Sequence, residues 1–236
     1  MPRYKRVLLK LTGELFCEKG RTGIDFVVVK RIAEYLAHLR KVHDTDLAIV
    51  IGGGNLFRGR NIRGDNFDRA QADFIGMMGT IMNGLALQGE LNILNVESRV
   101  MSSLRLDQAC EPYIRLKAMH HLDVGRVVIL VGGTGRPFFT TDTTAALLAA
   151  ELDCEILLKG SGVDGVYSAD PKVDKDAKMF STLTFQEALV QGLMVMDSTA
   201  FAVCKDQKIP IIVFNVEDLN NIERILNGEN IGTLVS

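Results

Sequence analysis

Two lysines break apolar runs at points where glycine follows. Lys10 interrupts Val7–Leu11 and precedes Thr12-Gly13-Glu14, while Lys159 closes Glu155–Lys159 and precedes Gly160. A lysine in such a place can simply lay its stem on apolar surface and keep its head in water. Beside a glycine turn, a fixed ammonium also suits a phosphate that gains charge during transfer. A second glycine turn, Gly52-Gly53-Gly54-Asn55, is followed by Arg58. In a third place Val127–Val131 runs into Gly132-Gly133-Thr134-Gly135, and Thr140-Thr141-Asp142-Thr143-Thr144 then opens a helix rich in alanine and leucine. Glycines let backbone N–H groups approach an anion without interference from Cβ. A helix starting near Thr141–Thr143 adds the positive end of its dipole. Capping that helix needs one hydroxyl or acid. Five in a row point to a polar site, with Asp142 able to orient lysines or a metal-bound phosphate. Three glycine turns on one chain point to a ligand that carries several phosphates.

Other residues admit two readings. Asp197 precedes a predicted helix, Ser198–Asp206, and is either its plain N-cap or an acid that holds lysines and a metal shell. Tyr167 and Asp170 lie in a long loop, Gly160–Met179, and are either turn residues or the rim of an adenine and ribose site. The acid-rich run Asp164–Asp176 lacks the spacing and closing glutamate of a calcium loop. Gly52-x-Gly54, with Asp73 about 20 residues further on, suggests a dinucleotide site. Asn55, Leu56 and Phe57 follow, however, so the third glycine is missing. No G-x-x-x-x-G-K-S/T occurs, which excludes the usual P-loop kinases. No G-x-S-x-G elbow occurs, which argues against a hydrolase. The four cysteines and four histidines are too scattered for zinc and bear no metal-ligand spacing. The cysteines read as small buried apolar residues in a reducing compartment.

Short β-like runs alternate with longer helical ones, so the elements that position these residues should form a mainly parallel sheet covered by helices. Predicted strands are Tyr4–Leu11, Asp46–Ile51, Asn92–Val96, Val127–Val131, Glu155–Lys159 and Pro210–Phe214. Predicted helices are a segment capped by Asp25 and running to about Val42, Asp68–Gln88, roughly Leu104–His121 despite Pro112, Thr141–Leu152, Thr184–Gln191, Ser198–Asp206 and Asp218–Leu226. Gly76, Gly79 and Gly84 weaken the second helix, which suggests that it packs closely against another helix, in this chain or in another subunit. The chain has 236 residues, 47% hydrophobic and 24% charged, a globular composition. No linker or repeat divides it, so a single domain spanning 1–236 is expected. A net charge of −2 gives no broad attraction to nucleic acid or anionic membrane. No run approaches the roughly 18 apolar residues of a membrane span. The basic start, Pro2-Arg3-Tyr4-Lys5-Arg6, lacks an apolar stretch behind it. A cytoplasmic protein is expected.

Lys10-Leu11-Thr12-Gly13-Glu14, the run from Ile51 to Gly59, Gly133-Thr134-Gly135-Arg136-Pro137-Phe138-Phe139-Thr140-Thr141-Asp142, and the run from Val163 to Pro171 occur in one order over almost the whole chain. Together they resemble the bacterial UMP kinases (uridylate kinases), a branch of the amino acid kinase family. The resemblance implies a three-layer αβα sandwich with a mainly parallel sheet, and a cytoplasmic homohexamer. It implies the reaction ATP + UMP → ADP + UDP with Mg2+ bound through the ATP phosphates, in pyrimidine nucleotide biosynthesis. It places Lys10, Leu11, Thr12, Gly13, Gly54 and Arg58 at the ATP phosphates, with Ser161, Tyr167 and Asp170 at the base and ribose. It places Gly53, Asp73, Thr134, Gly135, Arg136, Pro137, Phe138, Phe139, Thr140 and Thr141 around UMP. Lys10, Arg58, Asp142, Lys159 and Asp197 become the expected catalytic set. Members are often activated by GTP and inhibited by UTP, and Glu18–Gly23 falls where relatives carry an effector loop. Thr12 stands for a commoner serine, Arg136 for asparagine, Leu148 for arginine and Gly162 for lysine.

The residue inventory fits this chemistry independently. A nucleoside monophosphate has a second pKa near ~6, so its attacking oxygen is mostly ionised at neutral pH and needs no general base. The task is to hold two polyanions in line and stabilise charge on the transferring group. Rival readings are a family kinase acting on a carboxylate or carbamate, a non-catalytic nucleotide-binding or oxyanion-storage protein, and an NAD-dependent oxidoreductase.

Overall fold

A computed structural model describes residues 3–57, 67–171 and 173–236. Its strands are β1 (Arg6–Leu11), β2 (Asp46–Ile51), β3 (Ser98–Ser102), β4 (Glu111–Pro112), β5 (Val127–Val131), β6 (Ile156–Ser161), β7 (Thr182–Leu183), β8 (Ile211–Asn215) and β9 (Thr233–Val235). They form one sheet in the order β4-β3-β5-β2-β1-β6-β8-β9-β7. Every pairing is parallel except that of β8 with β9. The helices are α1 (Phe26–Val42), α2 (Arg69–Ile93), α3 (Arg115–Asp123), α4 (Thr141–Glu151), α5 (Phe185–Val190), α6 (Ser198–Gln207) and α7 (Asn220–Leu226).

A parallel sheet covered on both faces needs apolar side chains on both, and β1 supplies them by alternation. Val7, Leu9 and Leu11 enter one core, with Val29 and Ile32 of α1, Leu87 of α2 and Ile222 of α7. Leu8 enters the other, with Ala145 and Ala149 of α4, Ala188 of α5 and Ala200 of α6. The result is the expected αβα sandwich. Among the described residues, no helix is long and apolar enough to cross a membrane.

Two expectations are corrected. The strand placed at 92–96 is the end of α2 and a turn at Asn95 (φ 58°), and the true strand is β3. Burial explains the slip: α2 keeps Leu91 fully buried on its core face, so the apolar signal runs on past Gln88. The helix placed at 104–121 shrinks to α3, because Pro112 sits in β4 and proline disfavours helix for itself and its predecessor. Within this chain Gly79 and Gly84 pack against a turn and a strand rather than against another helix. A Cβ on Gly84 would lie 2.5 Å from Val131 of β5, and Gly79 faces the backbone of Gly53.

The sheet order places a topological switch between β1 and β6. From β1 the chain moves to β2 on one side, whereas β6 leads to β8 on the other. In open parallel sheets, ligands bind outside the carboxyl ends of the strands at such a point.

Candidate active site

Lys10 and Lys159 are register partners on β1 and β6, at the carboxyl ends that flank this switch. Alternation turns both toward the face carrying α4, since Leu8 and Leu157 lie in that core. Two ammoniums on neighbouring strands repel unless a carboxylate separates them. Asp142, in the first turn of α4, does so. Its Oδ1 lies 2.9 Å from Lys10 Nζ and its Oδ2 lies 2.7 Å from Lys159 Nζ. The three side chains are only 12–15% exposed. Lys159 also donates to the Val195 carbonyl at 2.6 Å.

Burial alone would raise the pKa of Asp142, but the ammoniums of Lys10 and Lys159 outweigh it and hold the carboxyl below the usual carboxylate range. Burial drives Lys159 below the usual lysine range. Asp142 opposes that shift, whereas Lys10 adds to it. The cluster keeps one surplus positive charge in a place with little water, which makes it a receptor for an anion.

The helix end is fastened by a second acid. Thr140 caps α4, accepting from the N–H groups of Asp142 (3.0 Å) and Thr143 (3.3 Å). Its hydroxyl donates to Asp197 Oδ2 at 2.5 Å, and Thr143 donates to Asp197 Oδ1 at 2.9 Å. Asp197 also caps α6 by accepting from Ala200 N–H. The N-cap reading of Asp197 holds, and its further hydrogen-bond partners are the two threonines at the start of α4. The five-residue polar run divides as well. Thr143 and Thr144 are buried, and Thr144 donates to the Thr140 carbonyl, a purely internal use.

The glycine turns meet at close range. A Cβ on Gly13 would lie 2.6 Å from Gly54 N and 2.7 Å from Gly52 O, so only glycine permits this approach. In the third turn Gly132, Gly133 and Gly135 all have positive φ, as does Phe138 at 72°. Phe138 N–H donates to Asp73 Oδ2 at 2.7 Å, which joins the start of α2 to the 134–141 segment.

A cleft of about 880 Å3 opens on the α1 side of the sheet, lined by Thr12, Gly54, Ser161, Arg21, Ile32 and Val216 among others. Its lining does not include Lys10, Asp142 or Lys159, which face the opposite side of the same strands. The structure thus brings Lys10, Thr12, Gly13, Gly53, Gly54, Asp142, Lys159 and Ser161 to one end of the sheet. Tyr167 pairs by an isolated bridge with Met179, and Asp170 is exposed; neither lines the cleft. Arg136 is exposed and Leu148 is buried in the core. Arg58 lies outside the described residues.

A sequence profile of the amino acid kinase family matches residues 5–215. The chain belongs to the amino acid kinase family. Solved structures agree. UMP kinase from Bacillus anthracis is 41% identical with a TM-score of 0.93, covering 99% of this chain and 96% of the other. UMP kinase from Ureaplasma parvum is 39% identical with a TM-score of 0.92, covering 99% of each chain. Uridylate kinase from Archaeoglobus fulgidus is 27% identical with a TM-score of 0.75, covering 98% and 99%.

In this member of the family several residues that organise the site escaped the sequence reading. Val195 offers only a carbonyl, which no side-chain pattern announces. Asn55 and Asn83 form a buried pair beneath the 52–54 turn, and Thr80 accepts from Gly132 N–H. The available signal was polar residues at positions of α2 that the helical period assigns to the core.

Proposed function

We propose that the chain is a UMP kinase that transfers the γ-phosphoryl group of ATP to UMP. The observation that carries this reading is the Lys10–Asp142–Lys159 cluster at the switch point, with glycine turns on either side. The choice of UMP is supported by full-length likeness to structures described as UMP kinases from two bacteria.

In this reading Thr12, Gly13 and Gly54 cradle the ATP phosphates through backbone N–H groups, and Ser161, Tyr167 and Asp170 hold the base and ribose. Gly53, Asp73 and the 134–141 segment hold UMP, whose ribose takes over the Asp73 carboxylate from Phe138 N–H. The phosphate of UMP arrives ionised, so no residue need remove a proton from it. Lys10 and Lys159 sit where charge accumulates on the transferring group, and Asp142 keeps them in place. Arg58 completes the expected set. Pre-placed cations in a site with little water do the stabilising. Among the described residues no group of three acids, histidines or cysteines could hold a metal, and both Asp142 oxygens face ammoniums. This donor set suits a Mg2+ ion held through the ATP phosphates, where it would neutralise charge between them. The same reading includes a single catalytic domain, a cytoplasmic homohexamer, activation by GTP and inhibition by UTP, with residues 18–23 as the effector segment beside the cleft.

The test is ADP release from ATP with UMP, CMP, dTMP, acetylglutamate or carbamate as acceptor. UMP should give the highest kcat/KM by at least one order of magnitude. Preference for acetylglutamate or carbamate, or no turnover with any acceptor, would overturn the reading.

A further inference from the structure

Two of the three glycine turns of the site are tied to one face of α2. Thr80 and Asn83 stand seven and ten residues beyond Asp73, roughly two and three helical turns on. Thr80 is 2% exposed; its hydroxyl donates to the Met77 carbonyl (2.7 Å) and accepts from Gly132 N–H (2.8 Å). Asn83 is fully buried and donates to the Gly52 carbonyl (2.8 Å) and to Asn55 Oδ1 (2.8 Å). It accepts in return from Asn55 Nδ2 at 3.0 Å, and that amide also reaches the Gly23 carbonyl at 2.7 Å. Between these ties, a Cβ on Gly53 would lie 2.6 Å from the Gly76 carbonyl oxygen, so the second turn rests directly on the helix.

Satisfied polar groups in a core add little stability over apolar side chains of the same shape. What they add is a fixed distance and direction to a named atom. We infer that Thr80 and Asn83 are positioning residues: from one rigid helix they set the register of the UMP turn at 132–135 and of the 52–54 turn, whose Gly53 serves UMP and whose Gly54 serves ATP, and so the gap between the two phosphates. This rests on the UMP kinase reading, which assigns those turns to UMP and ATP. In-line transfer is sensitive to such a gap, since a misplacement of about 1 Å can cost about 100-fold in rate.

Initial rates with UMP and ATP varied independently separate the two ties. Thr80→Val removes the acceptor for Gly132 N–H; the KM for UMP should rise about tenfold and kcat should fall about tenfold, with the KM for ATP within about twofold. Thr80→Ser keeps the hydroxyl and should return the KM for UMP to within about threefold of wild type. Asn83→Leu should instead raise the KM for both nucleotides, because the 52–54 turn serves both. Thermal melting establishes that each variant is folded. Thr80→Ala replaces Thr80→Val if the latter does not fold, and the Thr80 variants decide alone if Asn83→Leu does not. An active wild type whose Thr80 variants leave both KM values unchanged, or move them equally, overturns this inference alone. Wild-type protein inert toward UMP overturns the functional reading and this inference with it.

Discussion

Asp142 neutralises one of two facing ammoniums while both its oxygens are nearly shut off from water. Removing one partner of a buried ion pair typically costs about 3–5 kcal/mol, so Asp142→Asn should lower folding stability by that order in chemical denaturation. The pH dependence follows from the direction of its shift. Asp142 ionises at lower pH in the folded chain than in the unfolded one. Its stabilisation is therefore complete above the unfolded carboxylate pKa and is lost as pH falls through the folded value. The gap between wild type and Asp142→Asn should close below the ordinary carboxylate range, and a gap unchanged from neutral to strongly acid pH would contradict the assignment. Lys159 shifts down as well, mainly because it is buried. Its charge disappears as pH rises through that lowered value, so the alkaline limb of kcat/KM should fall below the usual lysine range. Lys159→Arg, which cannot deprotonate there, should move or abolish the limb; an identical limb would assign it to another group. These three residues were legible in the sequence because each breaks a local pattern. Thr80 and Asn83 were not read, since their place on the core side of the helical period marks burial but not the turns they bond to, which lie far away in sequence.

Helices and strands matter here through their ends. The strands with continuous apolar runs, β2 and β5, have the bounds that the sequence predicts. Asp25 caps α1 as its position suggests, accepting from the N–H groups of Val27 and Val28. The two- and three-residue strands β4, β7 and β9 went unseen, because so few residues carry no alternation. Likewise the meeting of the 13 and 52–54 turns depends on the β1–β2 register, which is a tertiary fact. Gly13→Ala tests it. The added Cβ meets backbone atoms rather than a flexible side chain, so overpacking should cost about 1–3 kcal/mol. The KM for ATP should rise in step. A variant as stable as wild type, with unchanged ATP dependence, would show that the two turns are further apart.

At the scale of the molecule, the sheet order makes a site that no single segment contains. Residues more than a hundred positions apart meet because β1 and β6 are neighbours at the switch point. One surface remains outside this account of the site: Phe74, Ile75, Met78 and Met82 are exposed along α2. Apolar stripes of this kind mark contact surfaces, in keeping with the proposed hexamer. Light scattering should give the mass of six chains, and Ile75→Glu combined with Met78→Glu should give smaller species; a monomeric wild type would contradict the assembly. In the proposed reaction the paired lysines stabilise charge on the transferred phosphoryl group. Single-turnover transfer from ATP to UMP by Lys10→Ala, with both ligands saturating and binding confirmed by calorimetry, tests it most directly. The rate should fall about 100- to 1,000-fold relative to wild type while both nucleotides still bind. A rate close to that of wild type would remove Lys10 from the chemistry and the account with it.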